Sequence, residues 1–324
     1  MALTDREGLV IARHRREALL EDDSGATVAA LVRGRQLHPL TGDRVCFSLE
    51  PDGTAVIREI LPRQSLLERI DSRGRGEGVA ANVSLIAVVV ASRPAPDWQL
   101  VDRYLIAAAL MDVDAAVIRN KLDIEDHEVD LRARCYAEIG YAVVAASATA
   151  RQGLEALGRA LDGHRAVLVG QSGVGKSSLI NALLAEDAQA VRDLSRRKAL
   201  GRHTTTAAML YRLPRGGEII DSPGVRRYAP KIGSPADLAF GFAEFRPFQG
   251  QCRFNDCSHR TEPGCAVRAA VEAGSIRPER HRSYSMLRDT LERSGRPGAS
   301  PCPSSAARRG CAGARGTRSG RRGC

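Results

Sequence analysis

The sequence predicts a multi-domain protein: a small β-barrel, then a parallel α/β unit, then a small, mostly helical unit held by a metal. Three observations predict this order. Residues 1–75 hold short β-forming runs separated by turn residues. From Asn82 the pattern changes to apolar strands alternating with helical segments, which means a parallel sheet covered by helices on both faces. After residue 250, three cysteines and a histidine crowd into one short stretch. The expected boundaries are 1–75 for the barrel, 76–232 for the α/β unit, 233–292 for the metal-bearing unit and 293–324 for a disordered basic tail.

A chain of 324 residues suggests two or three domains. No stretch approaches the roughly 20 apolar residues of a membrane span, and the first twenty residues contain no apolar signal core. The expectation is a soluble, cytoplasmic protein, a monomer that does not engage a membrane. The net charge is +10, but residues 293–324 hold eight arginines and no acid, so the rest of the chain carries only +2. The folded part is therefore not broadly basic. Its local clusters, at residues 13–16, 196–198 and 280–282, read more readily as solvated faces than as binding patches. Cys46 and Cys135 read as small core hydrophobes, and a disulfide framework does not suit a cytosolic chain of this size.

Strands are expected at 8–13, 26–32, 43–48 and 54–60, with turns at Thr41-Gly42 and Pro51-Asp52-Gly53. Short strands at this spacing suggest a barrel of the OB type. It serves either as a nucleic-acid surface or as a structural cap; Phe47 is its one aromatic, so base stacking has little support. Residues 71–80, rich in glycine and arginine, read as a flexible linker. Beyond them come a buried strand at Leu85–Ala91, an apolar helix at Trp98–Met111, a strand at 115–119, a helix at 125–139, a strand at 141–146, a helix at 153–161 and a strand from Arg165.

That last strand runs into Gly170-Gln171-Ser172-Gly173-Val174-Gly175-Lys176-Ser177, followed by Ser178 and an apolar helix. This is G-x-x-x-x-G-K-[ST] in the strand–loop–helix setting its mechanism demands. The glycines let backbone N–H groups wrap a polyphosphate at a helix N-terminus. Lys176 should reach the β- and γ-phosphates, and Ser177 should ligate Mg²⁺.

Two further fragments lie upstream. Asn120-Lys121-Leu122-Asp123 ends the 115–119 strand, on the edge of the sheet where ligands bind in such folds. It fits N-K-x-D, which reads guanine: the Asp123 carboxylate accepts from both N1–H and the exocyclic amine. Adenine would leave that carboxylate unpaired, a discrimination on the order of 10⁴-fold. Taken alone, the tetrapeptide equally suits an Asx turn closing a strand. Ser147-Ala148, after the next strand, fits the last guanine-contacting motif and has no specificity by itself.

Two more lie downstream. Among His203-Thr204-Thr205-Thr206, a threonine could hold Mg²⁺ and sense the γ-phosphate; Thr205 is the expected one, with Thr204 beside it. A plain Thr-rich strand start is the alternative. A strand then ends in Asp221-Ser222-Pro223-Gly224, where Asp221 would hold Mg²⁺ through water and the Gly224 N–H would bond the γ-phosphate. Together these are the parts of a GTPase in an unusual order, with N-K-x-D ahead of the phosphate loop: a circular permutation that keeps the site and moves the termini.

Cys252-x₄-Cys257-x-His259-x₅-Cys265 fits a closed tetrahedral Zn²⁺ site with one structural ion, or else reduced surface cysteines. A helix at 266–273 follows.

On these motifs, together with Leu-Thr-Gly-Asp-Arg-Val at 40–45, residues 61–69 and residues 80–84, the chain resembles the bacterial ribosome small-subunit-dependent GTPase A family over roughly residues 5–292. The resemblance implies an N-terminal OB domain, a permuted GTPase domain and a C-terminal zinc domain. It also implies hydrolysis of GTP stimulated by the small ribosomal subunit, a role in late maturation of that subunit, and contact with its rRNA. Val225 follows the D-x-P-G motif where Ras-like enzymes carry a water-orienting Gln. Slow intrinsic hydrolysis follows, with His203 the candidate for positioning water. The alternative is a GTP-responsive rRNA-binding module with negligible catalysis. The tail reads either as a disordered RNA-binding segment or as a frameshifted terminus without selected function.

Overall fold

The computed structural model describes residues 6–14, 16–34, 36–70, 75–185, 208–221 and 232–294. His203, Thr204, Thr205, Gly224 and Val225 lie outside the described residues, as does nearly all of the 293–324 tail.

Five strands close a barrel: β1 (Arg6–His14), β2 (Glu17–Asp22), β3 (Thr27–Val32), β4 (Arg44–Leu49) and β5 (Ala55–Ile60). Their order is β1-β2-β3-β5-β4, and β4 returns to pair with β1. The β3–β5 pair is parallel and the others antiparallel. Inward residues alternate as the pleat requires, so Val10, Leu20, Val45, Phe47 and Ile57 fill the interior. Phe47 is therefore core and offers no stacking face. The sequence reading lacked β2, because Glu17-Ala18-Leu19-Leu20-Glu21 consists of good helix formers. Pairing on both sides overrides that preference.

The barrel is buttoned by its 40–45 turn. Asp43 is fully buried and accepts from the Leu40 N–H at 2.7 Å and from Arg63 Nε and Nη2 at 2.8 Å each. Gly42 has φ +96°, and a Cβ there would lie 2.1 Å from the Ala81 carbonyl oxygen. Its own carbonyl accepts from Asn82 Nδ2 at 2.9 Å and Arg165 Nη1 at 2.8 Å, tying the barrel to the α/β unit.

The expected linker at 71–80 is corrected: β6 (Leu66–Ile70) and β7 (Gly76–Ala81) form an antiparallel hairpin, with residues 71–74 outside the described set. Glycine hides the strand from a propensity argument, yet packing requires it. A Cβ on Gly78 would come within 2.5 Å of Leu40 Cδ1.

The α/β unit comprises β8 (Leu85–Ala91), α1 (Trp98–Met111), β9 (Asp114–Asn120), α2 (His127–Ile139), β10 (Ala142–Ala145), α3 (Leu154–Leu161), β11 (Arg165–Val169), α4 (Lys176–Leu184), β12 (Met209–Arg212) and β13 (Glu218–Asp221). The order is β10-β9-β8-β11-β13-β12, parallel except for β12. Ile86, Val88 and Val90 face α1 and α2, while Leu85, Ala87 and Val89 face α3 and α4. Strand β12 meets β1 at Met209 and Ala12, so the sheet runs on into the barrel wall.

After residue 232 the chain is helical: α5 (Pro235–Gly241), a 3₁₀ turn (Ala243–Phe248), α6 (Ala266–Glu272) and α7 (Pro278–Ser294). Leu238, Phe242, Phe245, Val267, Tyr284 and Leu287 pack together with Ile106 of α1. Two expectations fail, one here and one in β4 and α2. Arg280, read as part of a solvated basic cluster, is only 2% exposed. Cys46 and Cys135 are half-buried and stand outside the cores. Among the described residues, no helix is long and apolar enough to cross a membrane.

Candidate functional site

The carboxyl ends of the parallel strands bring the upstream fragments, the 170–177 loop and Asp221 together. In register, Ala91 of β8 lies beside Asn120 of β9, Arg119 beside Ala145 of β10, and Leu168 of β11 beside Asp221 of β13. One edge of the sheet therefore carries 120–123, 147–148, 170–178 and Asp221.

The phosphate loop is built as its residue types require. Gly170, Gly173 and Gly175 all have positive φ. Gly175, at +95°, is the N-cap of α4, and a Cβ there would sit 2.4 Å from Asn120 Nδ2. No side chain caps this helix, and Ser177 and Ser178 in its first turn are exposed. The helix thus turns an N-terminus without a side-chain cap, its positive dipole end, towards an anion. The Lys176 ammonium donates to the Gly170 and Gln171 carbonyls at 2.8 and 2.7 Å, which holds it over the loop. Gln171 bridges outward, accepting from the Asp97 N–H at 2.8 Å and donating to the Ala95 carbonyl at 3.2 Å. Ser172 is exposed and Val174 is buried beneath the loop.

The 120–123 turn is bonded directly to that loop. Asn120 Nδ2 donates to the Val174 carbonyl at 2.8 Å. Lys121, in the left-handed region at φ 63°, donates to the Gly173 carbonyl at 2.8 Å and to that of Arg93 at 2.7 Å. The Leu122 N–H reaches the Ala146 carbonyl at 3.3 Å. Asp123 is exposed and accepts from the Ser147 hydroxyl at 2.5 Å. That hydrogen bond is the main reason its carboxyl is held below the usual range. Ser147 is itself buried and fixed by the Ala150 N–H at 3.1 Å, next to half-buried Ala148.

A guanine nucleotide fits this residue set. Asn120 Oδ1 is buried and lacks a hydrogen-bond partner among the described residues. Such an atom costs about 1–3 kcal/mol unless something polar meets it. Asp123 beside it presents a carboxylate, the one group able to accept twice from guanine.

One residue at this edge escaped the sequence reading. Arg119, 2% exposed, donates to the carbonyls of Asn120 at 2.6 Å, Lys121 at 3.1 Å and Ile124 at 3.0 Å, and to Asp130 Oδ1 at 2.8 Å. A lone cation ending an apolar strand, one place before N-K-x-D, was the available signal.

A second centre lies in the helical unit. Cys252, Cys257, His259 and Cys265 bring their ligand atoms within 4.8 Å of one another. His259 Nδ1 is 3.5 Å from Cys252 Sγ and 3.6 Å from Cys265 Sγ, and the two sulfurs are 4.0 Å apart. Zn–S bonds of about 2.3 Å in a tetrahedron would put sulfurs about 3.8 Å apart, so the set fits Zn²⁺. Burial lowers the His259 pKa, which favours the neutral imidazole a metal binds. Glu262 shapes the loop by accepting from the Ser258, Arg260 and Thr261 N–H groups at 2.7, 3.1 and 3.1 Å.

Comparison with known proteins bears on the nucleotide edge. The family model described as RsgA GTPase matches residues 60–230. A protein of Chromohalobacter salexigens named small ribosomal subunit biogenesis GTPase RsgA is 48% identical, over 78% of this chain and 75% of its own. A protein of the same name from Pseudomonas syringae pv. tomato is 42% identical, over 86% of this chain and 84% of its own. Among solved structures, YjeQ from Thermotoga maritima superposes with a TM-score of 0.72 at 30% identity, covering 90% of this chain and all of that one. YloQ, described as a circularly permuted GTPase, gives 0.68 at 25% identity, covering 89% and 96%. With the 170–177 loop behind the 120–123 turn in the chain and bonded to it in space, and with relatives at this identity over most of their length, the chain belongs to the RsgA GTPase family.

Proposed function

We propose that this chain hydrolyses GTP to GDP and phosphate at the edge formed by residues 120–123, 147–148, 170–178 and 221, and that it acts in late maturation of the small ribosomal subunit. The observation that carries this reading is the pair of bonds from Asn120 and Lys121 to the Val174 and Gly173 carbonyls, which join base recognition to phosphate recognition across the permuted order. Asp123 reads the guanine. Gly170, Gln171, Ser172, Gly173, Val174, Gly175, Lys176, Ser177 and Ser178 wrap the phosphates, and Thr204 and Gly224 meet the γ-phosphate. Ser177, Thr205 and Asp221 would hold Mg²⁺, which when bound neutralises charge on the β- and γ-phosphates. His203 orients the attacking water, a role the apolar Val225 cannot fill.

The remaining units serve placement on the ribosome. The barrel, whose strand order suits an OB fold, offers rRNA a basic groove lined by Arg13, Arg16, Arg33 and His38. The unit at 233–292 is held by one Zn²⁺ on Cys252, Cys257, His259 and Cys265. The chain works as a cytoplasmic monomer, with units at 1–75, 76–232 and 233–292 and a basic tail from 293. GTP and ATP turnover, measured with and without purified small subunits, tests the reading. Turnover of GTP that rises with the subunits supports it. GTP binding with no turnover in either condition points instead to a GTP-responsive rRNA-binding module.

A further inference from the structure

We propose that Arg119 is the positioning residue for guanine selectivity: its buried guanidinium sets the main chain of residues 120–124, and through it the aim of the Asp123 carboxylate. This rests on the reading of residues 120–123 as the base-recognition turn.

Strand β9 places the residue. Side chains alternate along a strand, so Val117 joins the core under α1 and α2 while Ala116 and Ile118 join the opposite one. Arg119 shares the face of Val117, where Asp130 of α2 meets its Nε at 2.8 Å. From that fixed point the guanidinium fork turns back over its own chain. Nη1 donates to the Asn120 and Lys121 carbonyls at 2.6 and 3.1 Å, and Nη2 to the Ile124 carbonyl at 3.0 Å. Three carbonyls that bracket Leu122 and Asp123 thus converge on a single rigid cation. An Asp130–Arg119 pair alone could be a surface ornament. A side chain only 3% exposed that spends its donors on the base-recognition turn is not.

The turn needs such a brace. Lys121 holds a left-handed backbone at φ 63°, unfavourable for a residue with a Cβ. Asp123 is exposed, and its carboxylate is met by the Ser147 hydroxyl. A recognition carboxylate must be held to within about 0.5 Å, which takes a supporting shell. A planar fork of five N–H donors can bind several carbonyls at once; an ammonium on a flexible stem cannot hold the same set.

The test uses the full chain and two probes, GDP and IDP, which differ only in the 2-amino group that Asp123 would accept from. Arg119→Lys keeps the charge opposite Asp130 and so preserves the fold, while removing the fork. The expected result is that the GDP-over-IDP affinity ratio falls by roughly tenfold, with IDP, which keeps only the N1–H contact, losing less affinity than GDP. A loss of both affinities in equal proportion, or an unchanged ratio, overturns the proposal. Asp130→Asn, which keeps the three carbonyl bonds, should leave most of the ratio intact. Asp123→Asn in parallel separates the two readings. If it fails to exchange preference for GDP with preference for XDP, the turn is not the base site. If it does exchange them and Arg119→Lys leaves the ratio alone, the positioning role alone fails.

Discussion

Arg280 of α7 donates to Asp102 of α1 inside the joint between the α/β sheet and the C-terminal helices, and both side chains are buried. The pair is fully furnished. Arg280 Nε also meets Glu244 at 2.6 Å, and Asp102 accepts from the Ser283 hydroxyl and from Tyr136 at 2.7 Å. The guanidinium lies over the rings of Tyr136 and Phe242 at 5.0 and 4.7 Å. Burial works against its charge, but Asp102 and Glu244 outweigh that and hold its pKa above the ordinary value. Burial also pushes the Tyr136 phenol well up, so it remains a donor to Asp102 at any working pH.

Breaking one side of this pair leaves a buried charge unmatched. Arg280→Met or Asp102→Leu alone should therefore destabilise the joint by about 3–5 kcal/mol, and the double variant by clearly less than the sum. The chain contains a single tryptophan, Trp98, stacked 5.9 Å from Tyr136. Its fluorescence during denaturant unfolding reports on this network directly. Additive single-variant losses would mean the ion pair is incidental.

Local pattern made the α/β half legible and left long-range partners invisible. The apolar run at Leu85–Ala91 and the stripe of Leu100, Tyr104 and Ala108 are set by burial on known periods, and both elements stand where those periods put them. Strand β2 could not be read, because its helix-forming residues take their state from neighbours on both sides. Arg280 looked solvated because Asp102, its partner, lies 178 residues away in the chain. In the site, the 170–177 loop and the 120–123 turn could be picked out because residue types recur there at fixed spacing, and the two are bonded to each other. Arg119 could not be, since bracing a turn through main-chain carbonyls imposes no pattern on the residues braced.

The cysteine and histidine set should bind one Zn²⁺ per chain, and its removal should unfold the helical unit first. Cys252, Cys257 and Cys265 pack directly on the core of Leu238, Phe245 and Tyr284, so the ligands and the core form one structure. Structural zinc sites contribute on the order of 10 kcal/mol, more than a unit this small gains from packing alone. Elemental analysis should give one zinc per chain, falling below half in Cys257→Ser. Chelation should make the region after residue 232 sensitive to protease while the barrel survives. A zinc-free chain with unchanged protease resistance would rule out the structural role.

Acid should weaken guanine recognition later in this chain than in a Ser147→Ala variant. The Ser147 hydroxyl, followed by main-chain bonding at Asp123 itself, lowers the pKa of the Asp123 carboxyl. Recognition requires the ionised form, so it persists as pH falls until the depressed value is crossed. Without the hydroxyl that value returns towards the ordinary carboxylate pKa of about 4. The acid limb of the GDP-over-IDP ratio should then move to higher pH. Taking the ratio of two nucleotides cancels any acid effect on the metal centre or the phosphate loop. Superimposable acid limbs would show that Ser147 does not tune Asp123.

His203→Ala should separate binding from turnover. Val225 carries no group that can orient water, so a site built only from phosphate-wrapping residues would bind GTP and hydrolyse it slowly. His203 adjoins the threonines expected at the γ-phosphate and is the nearest side chain in sequence with a ring nitrogen able to hold water. Removing a positioned general base or water-orienting group costs about 10²–10⁴-fold in rate. Turnover stimulated by small subunits should fall by at least about 100-fold, with GTP affinity within twofold of the parent chain. Replacement by Gln, which can also orient water through its amide, should recover part of the loss. Stimulated turnover that survives Ala at this position would remove His203 from the water-positioning role and leave it to another residue or to the ribosome.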